Sequence, residues 1–282
     1  MASKQDFHKL KAENQLDHLQ SILRANNHLI SDICDKYGEV KVVKLNRKTF
    51  ENKRNDFYHF CLVKACKSLH AAECLVGNFL QEDSQTVLRT AYEAYFHMSY
   101  VRNVPESLDQ FLDFKLGLVS GDYCHPLNGK GKPQRDKVCK VQTKEIFDYG
   151  ITIRQMAFGN LIEEDSLVFD KLYRHLSEHV HVNFISSGNY RSKDQKSYTM
   201  FDGSKVLQAA FNSVLISLFV LVEYPLFNSN MDADFKSKIK ETAGLQTEIL
   251  MGISKDLKED GEDINNLTLR LARILADLDK LT

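Results

Sequence analysis

Turn-forming residues are scarce. With 13 Gly and 4 Pro in 282 residues, the chain has too few breaks for an all-β sandwich, which needs a turn every roughly 8–12 residues. An excess of charge is also missing: the net charge is −1, so any affinity for nucleic acid must come from a local patch. The six cysteines (Cys34, Cys61, Cys66, Cys74, Cys124, Cys139) contain no C-x-x-C pair. A chain of this size can bury a core without staples, so they read as reduced thiols of a cytoplasmic protein. The opening MASKQDFHKL lacks the apolar centre of a secretory signal. Long hydrophobic runs are absent as well. The most apolar stretch, residues 206–227, is interrupted by Gln208, Asn212, Ser213, Ser217 and Glu223. Its longest unbroken run, residues 218–222, falls far short of the roughly 18 needed to span a bilayer, so it reads as a core helix and no membrane association is expected. Walker, G-x-G-x-x-G and G-x-S-x-G loops do not occur, and no cofactor is expected.

What remains is ordinary globular composition, 43% hydrophobic and 27% charged, with helical spacing. Length alone allows about two domains. Leu16, Leu19, Ile22, Leu23, Leu29, Ile30, Ile33 and Tyr37 recur every three or four residues and predict one helix over Lys4–Tyr37, closed by Gly38. Residues 40–45 read as a linker or lone strand. Helices are expected over 56–79, over 84–102 with Asp83 or Ser84 as cap, over 106–119, over 164–184, and over 204–224 with Pro225 as stop. Periodicity fails over 120–144, which reads as a long loop.

At the C-terminus, Ile264, Leu267, Leu271, Ile274, Leu278 and Leu281 keep an alternating three- and four-residue spacing, an a/d seam. Phe235, Ile239, Ile249, Ile253 and Leu257 form a comparable stripe. A helical hairpin over 231–282 follows, packed on its own chain or used for oligomerisation. The predicted class is all-α, divided into an N-terminal helix and linker (1–45), a helical core (46–229) and the hairpin (230–282).

The densest chemistry lies in Lys171-Leu-Tyr-Arg-His-Leu-Ser-Glu-His-Val-His-Val-Asn183. Residues seven apart on a helix share a face, so Arg174, Ser177 and His181 would form one polar stripe. His175 and His179 form a second pair, and Leu172, Leu176 and Val180 face the core. His179 would sit about 140° around the helix from Arg174, which favours His181 as its partner. A guanidinium can hold a phosphate through two hydrogen bonds, and a histidine exchanges protons near neutrality. Together they suit phosphodiester cleavage without metal, the imidazole taking the proton of an RNA 2′-hydroxyl. Arg89, Glu93 and His97 step by four on an earlier helix. Arg89 and Glu93 read either as a surface ion pair or as interior groups facing Arg174 and His181.

These residues carry a resemblance. Arg89-Thr-Ala-Tyr-Glu93 followed by Tyr173-Arg-His-Leu-Ser177 and His181 resembles an uncharacterised bacterial family with the pattern Arg-x-x-x-Glu, then Tyr-Arg-x-Leu-Ser-x-x-x-His. That family is similar to the HEPN superfamily of helical bundles and to some abortive-infection proteins of phage defence. The superfamily's signature is Arg, four to six residues, then His; Arg174 fits with His181 or with His179. The likeness covers about residues 56–224. It implies a HEPN-like bundle and a metal-independent endoribonuclease that leaves a cyclic phosphate and a free 5′-hydroxyl. It also implies a homodimer with the site at its interface, Arg174 on the phosphate, and His181 as base or orienting donor. A regulatory protein partner that holds a toxin or defence effector in check belongs to the same picture. The alternative is a catalytically silent module that binds nucleotide or protein through the same pocket.

Two basic segments fit an RNA-binding role. Lys130, Lys132, Arg135, Lys137 and Lys140 in one, and Arg191 and Lys193 in the other, could track a phosphate backbone, with Tyr190 stacking on a base; a solvated loop is the plainer reading. His175, His179 and His181 lack an accompanying carboxylate motif, and Cys124, His125 and Cys139 make an incomplete tetrahedral set. No metal is expected.

Overall fold

A computed structural model describes residues 4–38, 53–159, 162–180, 187, 190–191, 196–199, 205–256 and 261–280. The chain is a helical bundle. Among the described residues its helices are α1 (Lys4–Tyr37), α2 (Lys53–Gly77), α3 (Gln81–Asn103), α4 (Pro105–Ser120), α5 (Ile153–Phe158), α6 (Glu163–Glu178), α7 (Val206–Phe227), α8 (Ala233–Asp256) and α9 (Gly261–Asp279). The expected linker at 40–45 lies outside the described residues.

α7 is the axis of the core. It packs against α1, α2, α3, α8 and α9, and its residues from Ala209 to Pro225 are buried all round. Of the described helices it is the one long and apolar enough to cross a membrane, yet 89% of its apolar window is buried inside the bundle. Pro225 does not stop it, contrary to expectation. The helix runs on to Phe227, because a proline this close to a C-terminus costs a single backbone bond. One continuous apolar cluster takes side chains from α1, α2, α3, α6, α7, α8 and α9. Gly38 follows the end of α1 in a conformation where a Cβ would collide with the carbonyl of Cys34, so only glycine fits there.

The C-terminal seam turns inward: Leu267, Leu271, Ile274 and Leu278 are buried, and the α8–α9 hairpin packs on α1, α6 and α7 of its own chain. Polar side chains also cross-link the bundle. Asn26 on α1 donates to Ser217 on α7 at 2.8 Å and to Gln246 on α8 at 2.9 Å. Arg102 on α3 pairs with buried Glu223 on α7 at 2.6 Å.

Other boundaries differ from expectation. α3 begins at Gln81 without a side-chain cap, and Ser84 instead donates to the Gln81 carbonyl. α6 ends at Glu178 and not near 184, with a turn at His179 and Val180; the following His-Val-His-Val is poor in strong helix formers. The short α5 was not anticipated, although Thr152 and Gln155 form a capping box. The expected loop after α4 carries a small antiparallel sheet of β1 (Tyr123–Cys124), β2 (Lys137–Lys140) and β3 (Ile146–Asp148), in the order β1-β2-β3. Tyr123 and Val138 bury against Phe114 of α4. Strands of two to four residues leave no periodic signal, so the segment reads as loop.

Candidate functional site

The two halves of the polar pattern meet between α3 and α6. Arg89 and Glu93 lie one turn apart on α3, and the Arg89 Nε donates to Glu93 Oε1 at 2.9 Å. Arg89 Nη2 donates to the Tyr173 hydroxyl at 2.8 Å, and that hydroxyl donates to Glu93 Oε1 at 2.7 Å. The result is a closed ring of three half-buried groups. The guanidinium also lies 4.9 Å from the centre of the Tyr173 ring, and that ring stacks on Phe169 at 4.8 Å. Burial, followed by the bond to Glu93, pushes the Tyr173 hydroxyl above its ordinary range. Burial opposes the Arg89 charge, but Tyr173 and Glu93 outweigh it and raise its pKa.

Glu93 therefore orients Arg89 and Tyr173; its half-buried ion pair with Arg89 lies within α3, and the Tyr173 hydroxyl carries the ring across to α6. Arg174, next in the chain after Tyr173, is exposed on α6. Ser177 is turned back on its own helix, donating to the Tyr173 carbonyl at 2.6 Å. His181 lies outside the described residues. α6 itself ends at Glu178.

His175 and His179 face another way, as their spacing predicts. Their rings meet edge to face at 5.2 Å, and both line a cleft of about 510 Å³ between α3, α6, α7 and α9. Thr86 on α3 donates to the His179 carbonyl at 3.0 Å and pins the end of α6. Both ring nitrogens of His179 are buried and find no hydrogen-bond partner among the described residues. In the same cleft, Gln85 Oε1 accepts from Asn212 at 3.0 Å, while its Nε2 has no partner among the described residues. Sequence reasoning missed Gln85 and Asn212, and it quoted Tyr173 without giving it a role. A bare amide carries no sequence signal, and 80 residues separate Tyr173 from Glu93.

Burial, then neighbouring His175 and Lys205, lowers the His179 pKa from 6.5 to about 4. The unfolded chain thus takes up a proton below about pH 6.5 that the folded protein refuses until about pH 4. Stability from this source is complete above the upper value and is lost as pH falls toward the lower one. Thermal melts should show a smaller loss between those pH values in His179→Gln than in the parent protein.

The basic residues are spread over two places. Lys130 and Lys132 are exposed at a turn held by Asn128, whose Oδ1 accepts from their backbone N–H groups at 2.9 and 3.0 Å. Arg135 is exposed, and Lys137 starts β2, in the sheet that packs on α4. Tyr190 is partly exposed. Arg191 donates to the Tyr198 hydroxyl at 3.2 Å and lies over that ring, so it is partly engaged within its own loop. Lys193 lies outside the described residues. Among the described residues, no group of three or more His, Cys, Asp or Glu side chains could hold a metal ion.

Residues 55–198 match the model of a family of unknown function, DUF5677, a span that includes both Arg89–Glu93 and Tyr173–Ser177. No curated protein and no solved structure matches the chain. With just over half of its length matched, the chain belongs to the DUF5677 family.

Proposed function

We propose that this protein is a HEPN-like, metal-independent endoribonuclease of the toxin or phage-defence kind, cytoplasmic and acting as a homodimer under a regulatory protein partner. One observation carries the reading: the Tyr173 hydroxyl sits 2.7 Å from Glu93, which joins segments that the sequence pattern keeps apart. The ring of Arg89, Glu93 and Tyr173 fixes the backbone of α6 at the residue preceding Arg174. That guanidinium is exposed and can meet a phosphate.

In this mechanism His181 removes the proton of a ribose 2′-hydroxyl, and the oxygen attacks the adjacent phosphorus as the 5′-oxygen leaves and takes a proton from water. Arg174 neutralises the charge growing on the non-bridging oxygens. The products are a 2′,3′-cyclic phosphate and a 5′-hydroxyl. Lys130, Lys132, Arg135, Lys137 and Tyr190 are assigned to the RNA strand outside the reacting bond.

Total RNA incubated with the purified protein and a chelator should be cut, and Arg174→Ala and His181→Ala should leave it whole while retaining native helical content. A second reading, a silent binding module, is favoured by the Gln85 and His179 nitrogens in the neighbouring cleft, which have no partner among the described residues. It predicts no cleavage by any form, and ligand binding that Gln85→Leu removes.

A further inference from the structure

The seam between α1 and α2 holds chemistry that the RNA site does not use. Cys34 and Cys66 face one another across it, each bearing on the other's ionisation. Ser31, one turn before Cys34, places its hydroxyl 3.4 Å from the Cys66 sulfur and 3.0 Å from His70 Nε2. A thiolate can only accept, so an ionised Cys66 takes the Ser31 proton, and the Ser31 oxygen accepts from His70. His70 lies 3.9 Å from Glu73, and Glu73 is held in turn by Arg24 at 3.2 Å and Asn27 at 2.7 Å. A continuous polar row therefore ends on one sulfur with a second sulfur beside it.

The geometry points to a peroxide-reactive dithiol, with Cys66 as the attacking sulfur and Cys34 as the resolving one. Neighbouring Cys34, then the Ser31 bond and the nearby His70, bring the Cys66 thiol down to about 6 against the cost of burial. Half-buried Cys34, facing Cys66 and beside Asp35, is pushed up and keeps its proton. A thiolate fraction that is high at neutral pH is what distinguishes reactive cysteines from inert buried ones. Cys66 is 8% exposed, which restricts its oxidant to a small one such as hydrogen peroxide.

The Cys66 thiolate attacks one peroxide oxygen and the O–O bond breaks. Cys66 becomes a sulfenic acid, and the released hydroxide takes a proton and leaves as water. Cys34 then loses its proton and attacks the Cys66 sulfur; the S–O bond breaks and a second water departs. Two thiols are oxidised to one disulfide and one peroxide is reduced to two waters. The product is a covalent staple between α1 and α2.

The test treats the full-length protein with hydrogen peroxide and maps cysteines by peptide mass, with exposed Cys74 and Cys124 as internal references. The expected result is a Cys34–Cys66 disulfide formed before either reference cysteine is oxidised. Cys34→Ser should stop at a Cys66 sulfenic acid that a 1,3-dione traps, and Cys66→Ser should leave Cys34 reduced. Wild-type protein whose Cys34 and Cys66 stay reduced at a dose that already oxidises Cys74 would overturn the proposal, whatever the variants do. Oxidation of Cys34 at an unchanged rate in Cys66→Ser would overturn it equally.

Discussion

Arg270→Ala is expected to destabilise the protein by about 3–5 kcal/mol, the usual cost of stranding one partner of a buried ion pair. Arg270 on α9 and Asp165 in the first turn of α6 are 3% and 1% exposed. Arg270 Nε donates to Asp165 Oδ1 at 2.6 Å, and its Nη2 donates to the Tyr95 hydroxyl at 2.7 Å. That hydroxyl donates to Asp165 Oδ2 at 2.8 Å. The guanidinium also lies 4.6 Å from the centre of the Phe219 ring. Burial works against its charge, but Asp165 and Tyr95 overcome it and raise the pKa.

Alanine would leave the buried Asp165 carboxylate without its cationic partner. A domain's total stability is about 5–15 kcal/mol, so the loss should appear as a large fall in the urea midpoint. Replacing all three groups, as Arg270→Met, Asp165→Leu and Tyr95→Phe, should recover most of it, because no charge is then stranded. A single variant that melts with the parent would show that the α9–α6 clasp contributes nothing.

Neither member of that clasp was legible in the sequence. Asp165 lies in an acidic first turn, where a carboxylate is ordinarily explained by the helix dipole. Arg270 sits between the seam residues Leu267 and Leu271 and reads as flanking charge. The seam itself was legible because Leu, Leu, Ile and Leu at three- and four-residue steps have one way to be buried. Of the candidate site, the Arg89–Glu93 step could be read from i,i+4 spacing, and the separate face of His175 and His179 from helical geometry. The end of α6 could not, since Val180 continues the apolar stripe beyond the point where the backbone turns. The role of Tyr173 depends on a long-range pairing between α3 and α6, which single-sequence periodicity does not encode.

Arg174→Ala is expected to lower RNA cleavage about 10²–10³-fold, the usual cost of removing one preorganised donor from a developing charge. Because the side chain is exposed, its loss strands nothing and thermal stability should stay within about 0.5 kcal/mol. The separation of activity from stability is the informative feature. Arg174→Lys keeps the charge but loses the two-pronged contact, so it should fall between the parent and alanine. Cleavage unaffected by Arg174→Ala would move the chemistry elsewhere.

End-group analysis of RNA exposed to the protein in the presence of a chelator tests the central claim most directly. The account predicts 2′,3′-cyclic phosphate and 5′-hydroxyl ends from the parent protein and none from Arg174→Ala. Intact RNA with the parent protein, or ends that form equally with the variant, would contradict it.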